Sequence, residues 1–224
     1  MPRGRAEAVL VNTAGGIAGG DRLTTEIHAG SGERLTLTTQ AAERVYRSTG
    51  AVGRVSNLLA LEDGARIDWL PQETILFEGA SLERRLTVTM AESATLLAVE
   101  SLVFGRAAHG EVLQHLHLRD HWRIHRGARL IHAEAVRLDA MPTGQATLNG
   151  VRAVATLILV APGAGDGLDA ARALIPQGAE AGISALPDML VARFLAPSSQ
   201  ALRAVLIPLI GHFRAGPPPR VWQL

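Results

Sequence analysis

The sequence predicts a mainly β protein whose short strands stack into sheets in a β-helix-like arrangement, with two helices in the C-terminal third. The first two thirds alternate between apolar and polar residues with period two and contain many threonines and valines, which is typical of half-buried strands. Turn signals separate these strands at intervals of about 13 to 18 residues. This near-regular spacing indicates stacked rungs, as in a sandwich or a solenoid, although no strict sequence repeat is present.

The alternation is clearest in Glu33–Gln40, where Leu35 and Leu37 face one side while Thr36 and Thr38 face the other. Two further segments alternate in the same way, with apolar positions at Leu23, Ile27, Leu82, Leu86, Val88 and Met90. Glycine, serine and acidic residues form the predicted turns, at Gly30–Gly32, Ser48–Gly50, Glu62–Gly64, Glu78–Gly79 and Glu92–Ser93.

The last third of the chain changes character. Ala153–Ala161 is almost entirely apolar, which predicts a strand that is covered on both faces. Asp166–Ile175 is predicted as a short helix that Pro176 ends, and Met189–Leu195 as another strand.

A longer helix is predicted next, with Ser198 or Ser199 as its N-cap and with a kink at Pro208. Its apolar residues follow the i, i+3, i+4, i+7 rule and form one buried stripe, made of Leu202, Val205, Leu206, Leu209, Ile210 and Phe213. We expect Trp222 to dock back onto the body of the protein. No linker divides the sequence, so residues 1–224 are predicted to form a single domain.

Composition excludes several classes of function. The 224 residues carry a net charge of +1, which is too balanced for a nucleic-acid-binding surface. The chain has no cysteine, so disulfides, thiolate nucleophiles and Cys-ligated zinc sites are excluded. No apolar run approaches the ~20 residues of a membrane span, and the N-terminus lacks the apolar core of a signal peptide. A cytoplasmic protein that does not enter the membrane is therefore predicted.

The most unusual segment is Asn12–Asp21, which reads NTAGGIAGGD and places four glycines within six positions. A phosphate-binding loop is one interpretation, but no Gly-Lys-Ser/Thr follows and the spacing does not match G-x-G-x-x-G. A strand follows the segment rather than a helix whose N-terminus would hold phosphate. A tight structural turn or a protein contact is therefore favoured over nucleotide binding.

Charged residues mark a second segment, Thr38–Ser48, where Arg44 and Arg47 lie three positions apart beside Glu43. A contact surface for a partner and an ordinary solvated charge cluster are equally compatible with this pattern.

Carboxylates mark two further segments. In Trp69–Ala80, Glu73 and Glu78 lie near the two ends of a predicted strand, Thr74–Phe77. No nucleophile accompanies them, so a structural or metal-guiding role is favoured over acid–base catalysis. In Glu100–Glu111, a buried Glu–Arg pair is favoured over a metal role.

Histidines cluster between His115 and His125, where four of them share odd parity with Arg119 and Arg123. On one strand they would line a single face, either as a metal-binding ladder or as the solvated face of an amphipathic strand. The interleaved arginines repel cations and favour the solvated face. A metal-dependent hydrolase that uses this cluster is the alternative function, although neither H-E-x-x-H nor a G-x-S-x-G elbow is present.

Together the segments NTAGGIAGGD, TTQAAERVYRS, WLPQETILFEGA and ESLVFGR, followed by PRVW near the C-terminus, resemble the UreD (UreH) family of urease accessory proteins. The resemblance implies a mainly β, β-helix-like fold with two helices and a non-enzymatic role. It further implies that the chain binds the urease apoprotein, bridges it to UreF and the GTPase UreG, and helps nickel to reach the urease active site. Family members generally carry a further N-terminal segment, so we expect an exposed sheet edge here.

A nickel conduit of this kind needs oxygen or imidazole ligands that attract the ion and release it again, so transient nickel(II) is expected rather than a tightly bound cofactor. The candidate nickel path comprises Asp21, Glu73, Glu78, Glu100 and Glu111. The candidate partner-binding residues are Gly15, Gly16, Gly19, Gly20, Gln40, Arg44 and Arg47.

Overall fold

The computed structural model describes residues 6–223, which fold into fourteen strands and two α-helices. The strands are β1 (Ala6–Leu10), β2 (Arg22–Ala29), β3 (Arg34–Thr39), β4 (Glu43–Val45), β5 (Gly53–Leu61), β6 (Arg66–Leu70), β7 (Thr74–Leu76), β8 (Ala80–Met90), β9 (Thr95–Phe104), β10 (His115–Arg126), β11 (Arg129–Ala140), β12 (Ala153–Val160), β13 (Glu180–Leu186) and β14 (Met189–Ala196). The helices are α1 (Leu168–Ala173) and α2 (Ser199–Arg214). Within residues 6–223, neither helix has the length and apolar character needed to traverse a lipid bilayer.

The strands form two sheets. The larger has the order β1-β3-β6-β9-β12-β14-β13, with β7 and then β4 attached beside β9. The smaller has the order β11-β10-β8-β5-β2. Pairing is parallel from β1 to β9 in the first sheet and from β2 to β10 in the second, and β7 pairs in parallel with both β4 and β9. The remaining pairs are antiparallel.

The parallel part is a β-solenoid whose coils contain about thirty residues. In the smaller sheet Arg22 pairs with Arg54, and Arg54 pairs with Glu83. In the larger sheet Arg34 pairs with Arg66, and these two residues are as far apart in the sequence as Arg22 and Arg54. The predicted β-helix-like fold is thus confirmed, and each predicted turn interval corresponds to about half a coil.

The turns stack as well as the strands, which explains the spacing of the turn signals. The backbone N–H and the hydroxyl of Ser31 both donate to the carboxylate of Glu62 at 2.9 Å. One coil further on, the Ser93 hydroxyl donates to Asp63 Oδ1 at 3.0 Å. Every second turn signal therefore lies at the same end of the solenoid.

The core fills the space between the sheets and the space between the larger sheet and the helices. Ile158 of β12 packs between the sheets, whereas Leu157 packs with Leu206 of α2. This arrangement confirms that β12 is covered on both faces. Trp222 is also buried, and its indole N–H donates to the carbonyl of Leu70 at 2.9 Å, so it docks as predicted.

The helices begin and end close to their predicted positions. The Ser198 side chain accepts a hydrogen bond from the N–H of Ala201 and caps α2, which continues without a break through Pro208. Helix α1 is shorter than predicted, because Ala164–Gly167, which contains two glycines, adopts a 3-10 turn before it.

The alternation in β3 predicts one buried and one exposed face, but its polar face is buried as deeply as its apolar face. Thr36 and Thr38 are fully buried. The C-terminal end of α2 covers this face, and Arg214 donates a hydrogen bond to the Thr36 hydroxyl at 3.0 Å. That hydroxyl in turn donates to Asp68 at 3.3 Å, so Thr36 is buried as a member of a polar network.

Asp68 is the acceptor on which this network depends. It is 1% exposed and receives hydrogen bonds from Nε of Arg66 at 2.8 Å and from Nε of Arg214 at 3.1 Å. Arg214 is itself 3% exposed, so the pair is shielded from water and fixes α2 against β3 and β6.

We predict that Asp68→Ala lowers the free energy of unfolding by about 3–5 kcal/mol, because it leaves a buried guanidinium without its carboxylate partner. The matched control is Glu83→Ala, which breaks a half-exposed ion pair with Arg54 and should cost about 1 kcal/mol or less. Chemical denaturation of both variants measures the difference. Equal losses for the two variants would contradict the assignment.

Candidate functional site

The glycine-rich segment is a turn that the chain folds against itself. Ile17 is buried at its centre and forms a parallel bridge to Val45 of β4. Its N–H donates to the carbonyl of Arg44 at 2.7 Å, and its carbonyl accepts from the N–H of Tyr46 at 2.9 Å. The turn therefore adds Ile17 as one more extended residue beside β4, which pairs with β7 on its other side.

Close approach explains two of the glycines. A Cβ on Gly16 would overlap the Tyr46 ring and lie 2.8 Å from the carbonyl oxygen of Arg44. A Cβ on Gly19 would lie 2.8 Å from the carbonyl oxygen of Ala51. Gly15 and Gly20 instead supply positive φ angles. This geometry supports the structural-turn interpretation and offers no support for nucleotide binding.

Asp21 stabilises the same turn. Its carboxylate accepts a hydrogen bond from the N–H of Ala18 at 2.8 Å, and its carbonyl accepts from the N–H of Arg54 at 2.8 Å. Among the candidate partner-binding residues, the side chains of Gln40, Arg44 and Arg47 are exposed.

A buried ionic cluster lies between the two sheets. Arg84 of β8 contacts Asp120 of β10 through two hydrogen bonds, with Nε donating to Oδ1 at 3.2 Å. The same guanidinium lies 3.1 Å from Oε2 of Glu100, which belongs to β9 of the opposite sheet. Trp69 donates its indole N–H to Oε1 of Glu100 at 3.0 Å. All three charged side chains are at most 7% exposed.

The cluster contains one cation for two carboxylates, which leaves Glu100 in an unusual state. Its Oε2 receives no hydrogen bond of favourable geometry from the described residues, although Arg84 is close. Burial raises the pKa of Glu100, and the negative charge of Asp120 acts in the same direction while Arg84 opposes it. Glu100 is therefore a buried carboxyl that accepts from Trp69, faces Arg84 and is harder to ionise than an exposed glutamate.

Two cavities of about 360 and 370 Å³ meet at this cluster, because Arg84 and Glu100 line both of them. The first cavity extends to the glycine-rich turn, where it is lined by residues that include Asn12, Gly15, Gln40, Glu43 and Arg44. The second extends toward β11 and β14, where it is lined by residues that include Glu134, Val136, Thr156 and Arg193. Arg84 and Glu100 therefore lie in a wall that the two cavities share.

The remaining candidate carboxylates are engaged elsewhere. Glu73 accepts a hydrogen bond from the Ser199 hydroxyl at 2.6 Å and ties β7 to the start of α2. Glu78 accepts from the N–H of Gln114 at 2.6 Å and lies 2.8 Å from Nδ1 of His115. The hydrogen bond from Gln114 lowers the pKa of the Glu78 carboxyl. Neither side chain lines either cavity.

Glu111 is the most strongly held of these carboxylates. The Arg106 guanidinium donates to both of its oxygens, at 3.0 and 3.1 Å, and lowers the pKa of Glu111 to about 2. The sequence had favoured a buried Glu–Arg pair in this segment. Among the described residues, two pairs involve a glutamate of this segment: Glu111 with Arg106 near the surface and Glu100 with Arg84 in the interior.

The odd-numbered histidines of β10 lie on the outer face of the smaller sheet, opposite the buried Leu116, Leu118, Trp122 and Ile124. His117 lies 3.5 Å from Asp139 on the neighbouring strand. Within residues 6–223 no group of three or more histidine, aspartate or glutamate side chains is arranged to hold a metal ion. The geometry therefore offers no support for the hydrolase alternative.

Sequence reasoning missed Arg84 and Asp120, although a signal for both was present. Arg84 occupies an inward position of β8 between Leu82 and Leu86, and Asp120 occupies the equivalent position of β10. A charged residue in the apolar register of a strand indicates a buried polar site.

We predict that Gly16→Ala lowers the free energy of unfolding by about 1–3 kcal/mol, because the new methyl group overlaps Tyr46 and the Arg44 backbone. The control is Gly182→Ala in β13, where the added Cβ has no neighbour within 4 Å and the change should stay within about 0.5 kcal/mol. Urea denaturation distinguishes the two. A Gly16 variant as stable as the control would show that the turn packs more loosely than described.

Comparison with known proteins identifies the family of the chain. Residues 1–223 match the family described as UreD urease accessory protein. A relative from Azorhizobium caulinodans, named urease accessory protein UreD, is 47% identical over 97% of this chain and 82% of its own length. Relatives of the same name from Chelativorans sp. strain BNC1 and Jannaschia sp. strain CCS1 are 46% and 48% identical over 100% of this chain, and over 83% and 86% of their own lengths. The chain therefore belongs to the UreD family of urease accessory proteins.

Proposed function

We propose that this chain is a non-enzymatic assembly factor that helps nickel(II) to reach the active site of urease. In this proposal it acts in the cytoplasm, binds the urease apoprotein subunits, and works with UreF and UreG as a scaffold. Nickel is its transient cargo rather than a resident cofactor. Membership of the UreD family supports the accessory role, and the interior of the protein supports the role in nickel transfer.

The observation that carries the proposal is the position of Glu100. Its carboxylate lies in the wall that the two cavities share, and Oε2, 3.1 Å from Arg84, accepts no hydrogen bond from the described residues. A dication that passes between the cavities must come close to this oxygen. Oxygen ligands hold Ni²⁺ less tightly than a closed thiolate cage would, and transfer requires release as well as capture.

The positive charge of Arg84 favours release of the ion from the same site. Its guanidinium is fixed by Asp120 and by the hydroxyl of Thr74, which accepts a hydrogen bond from Nη1 at 3.2 Å. A dication beside Glu100 therefore stands close to a fixed positive charge, which weakens its binding. Attraction to Glu100 and repulsion by Arg84 together favour passage over storage.

Of the five carboxylates predicted from the sequence for the nickel path, the proposal keeps Glu100. Asp21, Glu73, Glu78 and Glu111 each bind a neighbouring N–H, hydroxyl or guanidinium of the chain, and none of the four lines either cavity. We assign these four carboxylates to the structure of the glycine turn, the start of α2 and the segment before β10. Glu43 lines the first cavity near the glycine turn and joins Glu100 as a candidate.

We predict that Glu100→Gln reduces urease activation and the nickel content of urease by about tenfold or more, while the complex with the urease subunits still assembles. The amide keeps the size of the side chain and removes the charge that attracts the ion. Co-purification of the complex, followed by activity and metal measurements on the same sample, gives all three readings.

Two further variants make the result interpretable. Glu83→Gln removes an exposed carboxylate that lines neither cavity and should leave activation unchanged. Glu100→Asp retains the charge and should activate better than Glu100→Gln. Normal nickel content in the Glu100→Gln complex would remove Glu100 from the path, and loss of assembly in that variant alone would assign the residue a structural role.

A further inference from the structure

A groove of about 660 Å³ lies on the surface beside the start of α2. Its floor is apolar and includes Tyr46, Ile75, Phe77 and Val103. Tyr46 is 37% exposed, and its ring meets Phe77 edge-on with a centroid distance of 5.3 Å. An exposed aromatic pair in a concave surface is typical of a site that anchors a bulky apolar side chain.

The rim of the groove is basic. Arg44, Arg106, His109 and Arg152 line it, and none of the described residues that line it is acidic. Arg106 is neutralised by Glu111 and stacks over the Phe77 ring at 4.5 Å, so it forms part of the wall. Arg152 donates to a backbone carbonyl, that of Glu111, at 3.2 Å, so its positive charge remains uncompensated by that contact.

Arg44 is the most available cation of this rim. Its side chain is exposed, and none of the ion pairs found among residues 6–223 includes it. Ser199 and Gln200, in the first turn of the sixteen-residue helix α2, complete the rim. The positive end of a helix dipole adds to the attraction for a carboxylate at this position.

The groove also unites segments that are distant in the sequence. Thr38–Ser48 contributes Arg44 and Tyr46, Trp69–Ala80 contributes Ile75 and Phe77, and Glu100–Glu111 contributes the wall from Val103 to His109. The solenoid brings them together because β4 pairs with β7 and β7 pairs with β9.

We propose that this groove binds a peptide segment of a partner protein that carries both bulky apolar and acidic side chains. An apolar side chain occupies the floor over Tyr46 and Phe77, and carboxylates meet Arg44 and Arg152. Charge complementarity favours this occupant, because the described lining offers cations and no anions. The inference deepens the proposed function, since it specifies the chemistry of a docking partner, and it does not require nickel to be the cargo.

The test uses short fluorescent peptides and the purified full chain. One peptide alternates glutamate with leucine and phenylalanine; a second replaces each glutamate with glutamine; a third replaces each apolar residue with serine. Fluorescence anisotropy should detect saturable binding of the first peptide, and the other two should bind at least about tenfold more weakly, because each lacks one of the two interactions.

Variants of the chain locate the site. Arg44→Glu reverses the charge of the rim, and Ala108→Trp places a bulky side chain in the groove from an exposed position. Each should weaken binding of the first peptide by about tenfold or more. Arg85→Glu is the matched control, because Arg85 is an exposed arginine of β8 in the other sheet and should leave binding unchanged.

Several outcomes would overturn the proposal. Equal binding of the serine-substituted peptide would show a nonspecific basic surface, and unchanged binding by both groove variants would place the peptide elsewhere. Absence of saturable binding would overturn it as well. Measuring urease activation by Ala108→Trp keeps the two proposals separate, because Ala108 lines the groove and neither cavity of the nickel proposal. Loss of peptide binding with normal activation in this variant would remove the docking role and leave the nickel proposal untouched.

Discussion

Parallel, in-register pairing between successive coils is the constraint on which the rest of this structure depends. It places Thr36 beside Asp68 in the larger sheet, and Arg84 beside Asp120 in the smaller one. Each pair becomes part of a buried polar network only because residues about thirty positions apart occupy neighbouring rungs. A slip of one residue would turn these side chains to the opposite face and leave them buried without partners or exposed. The register of the strands and the hydrogen bonds of the buried polar side chains therefore stabilise one another.

The sequence alone predicts the elements of this fold better than their contacts. Period-two alternation and turn chemistry are local signals, and they correctly predicted several strands, among them β3 and β8, and the capped helix that begins after Ser198. The partner of Arg84 is not a local property, because Asp120 becomes its neighbour only through strand pairing. Burial of Thr36 likewise depends on a helix that starts far along the chain. The sequence therefore indicates Glu100 as a candidate residue, but it does not indicate the ionic cluster with Arg84 and Asp120 to which Glu100 belongs.

The ionic cluster is expected to stabilise the fold less than well-packed apolar side chains would at the same positions. Buried ion pairs gain little over well-packed apolar residues, because desolvation offsets their attraction. A cluster with one cation for two carboxylates is less favourable still, as the raised pKa of Glu100 reflects. Apolar side chains at Arg84, Glu100 and Asp120 would fill the same space and separate the two cavities. Stability alone therefore does not explain the charges at these three positions.

The groove and the first cavity share a lining residue, and this links the two proposals. Arg44 lines both the first cavity and the groove, and Tyr46 rests against the glycine turn through a hydrogen bond from its hydroxyl to the carbonyl of Gly15. Gly15 also lines the first cavity. A peptide that engages Arg44 would draw its charge away from the cavity mouth and reduce the repulsion of an entering dication. Docking of a partner and admission of the ion would then be coupled through one side chain, without any movement of the sheets.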